Sequence, residues 1–291
     1  MSPAIPYEKL GVQAATSAVK ADQRVTNGRQ PPVNEVVVSV ALTPQDLLIG
    51  PRLPEILGPL FEQFNKVEIV PIYKMPVEYP SPQESLPHGA TPLLEFIPAG
   101  GMEPRYWLIS EDDVFVIQVQ RDYLAFNWRR RESAQEYVRY DTIREKFIEL
   151  LNTVQSALNA RGGQLLPERA ELTYIDVIAP NTVWRSPSDT HRLFSMSFAD
   201  SEDYEQIALS YSKALYVPEG PWSGRLHVTL NPFYDWLKEE SRLSLNMTAR
   251  SGNFSKPNTD AVLSFLDMAH DEINHSFLGM LTAEARQIWG L

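Results

Sequence analysis

The chain of 291 residues has no cysteine, which excludes disulfides, thiolate zinc sites and cysteine nucleophiles. Glycine-rich phosphate loops are missing too: there is no GxxxxGK[ST] and no credible GxGxxG, so nucleotide hydrolysis by a P-loop is excluded. No GxSxG elbow accompanies the serines. His88, His191 and His227 stand at no ligand spacing with one another. In "HDEINH" the two histidines, His270 and His275, are five positions apart and therefore about 140° apart around a helix, whereas a zinc helix needs i and i+4 on one face. That stretch reads as the polar face of a surface helix, and neither a metal nor a cofactor is expected. No run approaches the roughly 20 apolar residues of a membrane span, and the first residues lack the basic start and apolar core of a signal peptide. The expectation is a cytoplasmic protein with no membrane contact.

Positive charge is scarce. A formal net charge of −11 disfavours nucleic acid and favours a basic partner. Hydrophobic residues at 43% give the ordinary globular mixture, so most of the chain should bury a core. The 23 prolines outnumber the 14 glycines, which points to long, stiff connections rather than tight glycine turns.

Residues 1–33 carry no sustained period and read as a loosely held N-terminal arm. "EVVVSVAL" is a β-branched run that predicts a buried strand. Leu53, Ile56, Leu57, Leu60, Phe61 and Phe64 fall at helical spacing, with Gly58-Pro59 set to kink or split the helix. "VEIVPI" follows as a strand, and Pro76, Pro80, Pro82, Pro87 and Pro92 then break the chain into a long surface loop. "PLLEFIP" and "RYWLIS" are further strand candidates, with "SEDD" as a turn.

The stretch "VFVIQVQRDYLAFNWRRR" changes parity. Phe115, Ile117 and Val119 are apolar at odd positions, and Leu124, Phe126 and Trp128 at even ones. A hairpin turning at Arg121-Asp122 puts all six on one face. The other face then carries Gln118, Gln120, Tyr123, Ala125, Asn127 and Arg129. It is solvent by default and a partner-binding surface by hypothesis, together with Arg130 and Arg131.

"YDTIREKFIELLNTVQSALNARGG" is the clearest helix, capped by Asp141 and stopped by Gly162-Gly163. "ERAELTYIDVIAP" returns as a strand. "HRLFSMSF", "EQIALSYSKALY", "GRLHVTLNPF" and "RLSLNMTAR" predict four more. A helix from about Thr259 buries Val262, Leu266, Ala269, Ile273 and Phe277, and Thr282 caps a last short helix whose Trp289 docks on the body.

The implied class is α+β: antiparallel sheets with long amphipathic helices packed on one face, in two similar-sized halves. The domains would be residues 34–180 and 191–291, joined by a linker at 181–190. Whether the sheets of the two halves join is open at this level, as is homo-oligomerisation.

The run "RYWLISEDDVFVIQVQRDYLAFNWRR", the helix "YDTIREKF", the strand "ELTYIDVI" and, more weakly, "LDMAHDEINHSF" resemble a sporadically distributed prokaryotic family of uncharacterised proteins. Gln118, Gln120, Asp122, Asn127, Trp128 and Arg129 supply its hairpin motif. The likeness spans most of residues 35–180. It implies no catalytic residues, and its patchy distribution resembles that of antitoxin, immunity and phage-defence genes. The function that follows is a non-enzymatic, regulatory protein that binds a protein partner through Gln118, Gln120, Asn127, Arg129, Arg130 and Arg131. The alternative is a small-molecule binder or enzyme with an apolar cavity between curved sheet and helix.

Overall fold

The computed structural model describes residues 30–81, 104–131, 136–195, 205–218, 220–256 and 258–291. Residues 1–29 of the expected arm and the strand expected at "PLLEFIP" lie outside the described residues.

Nine antiparallel strands form one sheet: β1 Val33–Leu42, β2 Lys66–Val70, β3 Arg105–Ile109, β4 Phe115–Gln120, β5 Tyr123–Arg129, β6 Pro167–Ile178, β7 Leu209–Tyr216, β8 Trp222–Asp235 and β9 Glu240–Ser251, in the order 2-3-4-5-1-6-9-8-7. β1 is central because Val36, Val38 and Val40 on one face of a β-branched run demand full burial, and all three are 0% exposed. It pairs with β5 on one side and β6 on the other. β6 in turn pairs with β9, so strands from both halves of the chain belong to a single sheet.

The hairpin register is the one that parity dictates: Phe115 faces Trp128, Ile117 faces Phe126 and Val119 faces Leu124. Before it, the "SEDD" turn places Asp113 at φ 59°, the left-handed region, and Asp112 accepts from the Ser110 hydroxyl and the Val114 amide.

Five helices accompany the sheet: α1 Leu53–Leu57, α2 Tyr140–Asn159, α3 Thr190–Leu193, α4 Thr259–Met280 and α5 Ala283–Trp289. α1 stops at Leu57 and is followed by a tight turn at Gly58–Leu60, as Gly58-Pro59 requires. α2 buries Ile143, Phe147, Leu150, Leu151, Val154 and Leu158 against the face of β5 and β1 that carries Trp128 and Val38. α4 buries Val262, Phe265, Leu266, Ala269, Ile273 and Phe277 against β6, β9 and β8. Trp289 stacks on Phe277.

Two expectations need correction. Arg139 occupies the N-cap position of α2 and Asp141 lies within its first turn, where it favours the helix dipole without capping. "HRLFSMSF" does not form a strand across its described part. A reciprocal capping box between Ser186 and Asp189, with Pro187 at the next position, starts a helical turn that runs into α3. Phe194 makes only an isolated bridge to Leu281.

Asn258 caps α4 by accepting from the Ala261 amide at 2.7 Å. Asn258→Ala should lower stability by about 1 kcal/mol, read as a reduced urea midpoint with unchanged slope.

Candidate functional site

Opposite the helices, the sheet presents a polar face. β6 contributes Glu171 and Thr173, β9 contributes Arg250 and Thr248, and β8 contributes Arg225 and His227, each set aligned across the strands by register. Residues 71–81, "PIYKMPVEYPS", cross this face as an extended strap with no strand pairing of their own.

The strap is pinned by side chains. The Tyr73 amide donates to Gln120 Oε1 at 2.9 Å, and Gln120 Nε2 donates back to the Tyr73 carbonyl at 3.0 Å. The Tyr73 hydroxyl donates to both oxygens of Glu171, at 3.1 and 3.2 Å, and burial beside that carboxylate pushes the phenol up to about 12. Met75 is buried among Ala41, Tyr123 and Ala125. Glu78 reaches furthest. Its carboxylate accepts from Arg225 Nε at 3.2 Å and Arg250 Nη1 at 3.0 Å, and lies 2.6 Å from His227 Nε2. Burial opposes its ionisation, but the His227 hydrogen bond and Arg250 outweigh burial and hold it below the usual carboxylate range. The Glu78 side chain is 3% exposed and that of Arg225 5%.

This strap changes the reading of the hairpin's polar face. Gln118, Gln120 and Asn127 are buried rather than solvent-facing. Gln118 Oε1 accepts from Arg105 at 2.9 Å and from Trp107 Nε1 at 3.2 Å, its Nε2 donates to Asn127 Oδ1 at 2.8 Å, and Asn127 Nδ2 donates to Glu35 at 2.6 Å. Gln118 and Asn127 thus belong to one internal network, and Gln120 is held separately by the Tyr73 backbone, each satisfied as buried polar groups must be. Arg129 and Arg130 are half-buried, whereas Arg131 is exposed. Arg129 and Arg131 both donate to the Asp113 carbonyl, at 3.3 and 2.9 Å, and Arg130 donates to the Pro31 carbonyl at 3.4 Å. The structure thus places all six residues on or next to the β4–β5 hairpin, Gln120 near its turn and Arg129 to Arg131 at its other end, and gives each a hydrogen-bond partner within the protein.

A second cluster lies where α2 meets α4, at a cleft of about 410 Å³ lined by Tyr140, Asp141, Arg144, Glu145, Asp267, His270 and Asp271. Arg144 forks onto both oxygens of Asp267, at 2.6 and 2.8 Å, and Tyr140 donates to the same carboxylate at 3.0 Å. His270 is no mere surface residue: it stacks on Tyr140 with ring centroids 4.0 Å apart and meets the Tyr174 hydroxyl at 2.9 Å. Burial holds its imidazole below the ordinary histidine range, which favours the uncharged ring. Burial likewise raises the Tyr140 and Tyr174 hydroxyls. The Tyr140, Arg144, Asp267, His270 and Tyr174 side chains serve one another, which ties α2, α4 and β6 together. Among the described residues no group of His, Asp and Glu gathers to hold a metal ion, and no helix is long and apolar enough to cross a membrane.

A third feature is the β8–β9 hairpin. β6 pairs with β9 only as far as Leu243, and β7 pairs with β8 only as far as Leu230. The pairs from Phe233–Arg242 to Asp235–Glu240 therefore project beyond both neighbours. At the tip Trp236 is 82% exposed and Leu237 97%, with Phe233 and Tyr234 also exposed. The turn is stiff. The Asp235 carboxylate accepts from the Leu237 and Lys238 amides at 3.1 and 3.2 Å, Glu239 adopts φ 53°, and Arg242 bridges Asp235 and Glu240. The sequence hid this tip, because "NPFYDWLKEE" shows the same residues that would make a half-buried strand end.

No protein-family model matches the chain, and no curated protein matches it.

Proposed function

We propose that this is a non-enzymatic binding protein, regulatory in role, which engages a protein partner through the projecting β8–β9 hairpin. The observation that carries this reading is the pair Trp236 and Leu237, held outward on a rigid turn. Large apolar side chains cost free energy in water and are the residue types that anchor interfaces. A protein pocket suits the tip better than a bilayer, because Asp235, Glu239 and Glu240 flank it and the whole chain carries −11, which an anionic membrane would repel. The likeness to a patchily distributed family supports a defence, immunity or antitoxin setting for that partner. Since Gln118, Gln120 and Asn127 are occupied internally, the contact surface moves from the first hairpin to the second.

The alternative of an apolar ligand cavity finds no support between sheet and α2, where Trp128, Val38, Ile143, Phe147 and Val154 are all 0% exposed.

The test compares tagged wild type with Trp236→Ser/Leu237→Ser and with Arg131→Glu in a lysate of the natural host. Capture of a stoichiometric protein should fall at least tenfold with the hairpin variant alone. Equal capture by all three would refute the assignment of the surface, and vesicle binding that depends on Trp236 would replace the protein partner with a membrane.

A further inference from the structure

The strap and the sheet differ in charge in an informative way. Among the described residues, the sheet side of the crossing aligns two guanidiniums, Arg225 and Arg250, with one carboxylate, Glu171, which Arg250 holds at 2.7 Å, and places His227 alongside. That is an excess of positive charge, deeply placed, in a chain whose net charge is −11. Glu78 of the strap supplies the missing carboxylate. Arg225 and Arg250 meet it with different nitrogens on its two oxygens, at 3.2 and 3.0 Å, the convergent geometry that suits a carboxylate.

The strap resembles a bound peptide more than a structural element. It is extended, it runs across the strands rather than along them, and most of its anchors are side chains: Tyr73 and Gln120 at one end, Glu78 and Arg225 at the other. Arg225 Nη2 also donates to the Tyr79 carbonyl at 2.9 Å, so the same guanidinium reads backbone and side chain of one extended segment. From β4 to β8 the strap crosses five inter-strand spacings, about 24 Å, and the seven residues from Tyr73 to Tyr79 span roughly 23 Å when extended. Pro76 and Pro80 stiffen it in that form.

We propose that Arg225, Arg250 and His227 form a carboxylate-binding site that Glu78 occupies in cis, and that an extended, acidic segment of a partner protein occupies in its place when the strap lifts. This site lies on the sheet face and is separate from the hairpin tip, so either proposal can fail without the other. The strap itself defines the ligand: an extended peptide with a carboxylate side chain followed by a backbone carbonyl within reach of Arg225.

The probe is a fluorescein-labelled peptide of the strap sequence YKMPVEYP, together with the same peptide carrying glutamine for its glutamate. Glu78→Ala should bind the glutamate peptide at least tenfold more tightly than wild type does, and the glutamine peptide at least tenfold more weakly than the glutamate one. Folded Glu78→Ala that binds neither peptide, or both equally, overturns the proposal. So does rescue of its thermal stability by acetate without any peptide binding, which would leave the site purely structural. If Glu78→Ala does not fold, hydrogen exchange on wild type decides. The amides of 73–79 should exchange at least a hundredfold faster than those of β6, and faster again with the glutamate peptide but not the glutamine one. Exchange of the strap only at the rate of β6 would refute lifting.

Discussion

Replacing Asp176 with asparagine should abolish a loss of stability that the wild-type protein suffers between about pH 4 and pH 7. Asp176 lies on the helix-facing side of β6, is 3% exposed, and its Oδ1 has no hydrogen-bond partner among the described residues. Burial pushes its carboxyl from an ordinary 3.8 up to about 7, with Arg130 pulling only partly the other way. The Tyr137 and Tyr174 hydroxyls also face it, and its charge helps to raise both. Between those two values the unfolded chain has released the proton and the folded chain still holds it, so stability falls as pH rises and levels off above the folded value. A move from 3.8 to about 7 corresponds to a loss of roughly 4 kcal/mol, at about 1.4 kcal/mol per tenfold. The comparison is between urea midpoints at pH 4.5 and pH 8. Wild type should lose stability relative to Asp176→Asn across that interval, whatever offset the amide introduces at both ends and whatever His270 and Glu35 add to both profiles alike. Parallel profiles would show that Asp176 ionises normally in the folded state.

Arg250→Met should cost about 3–5 kcal/mol at pH 7, the range for removing one partner of a buried ion pair. Arg250 Nε lies 2.7 Å from Glu171 and its Nη1 3.0 Å from Glu78, and those two carboxylates are 8% and 3% exposed. Its loss leaves two buried anions with fewer cations, and the strap loses its central anchor. Because the folded-state value of Glu78 is depressed below 4.5, its stabilising contribution is present above 4.5 and disappears as pH falls through the folded value. The deficit of Arg250→Met should therefore shrink in acid, and Arg250→Lys, which keeps the charge but loses the fork, should fall between variant and wild type. A deficit under about 1 kcal/mol at pH 7 would place the network among weak surface pairs.

Local features were legible wherever a period carried them. Alternation placed Phe115 against Trp128 and Val119 against Leu124, and helical spacing marked Leu266 and Ile273 as buried. Parity also put Gln118, Gln120 and Asn127 on the face away from the helices. What parity cannot reveal is a cover, and the cover here is a proline-rich segment that reads as a surface loop. Its main anchor joins Glu78 to residues 147 and 172 positions away, a separation with no imprint on local pattern. "HRLFSMSF" misled for a related reason: its alternation suited a strand, but Ser186, Pro187 and Asp189 upstream had already set a helical start. Asp176, one acid within "YIDVI", carries no local mark of its burial; it shares the inward face of β6 with Tyr174 and Ile178.

The transverse course of the strap has a mechanical consequence. An antiparallel sheet twists by roughly 20° per strand, and small changes of twist at each pair add up between strands far apart. A nearly taut segment fastened at Gln120 on β4 and at Arg225 on β8 acts as a chord across that arc. Its two anchors therefore tie β8, whose far end carries Trp236, to the hairpin of the opposite half of the sheet, and limit how far the arc between them can flatten.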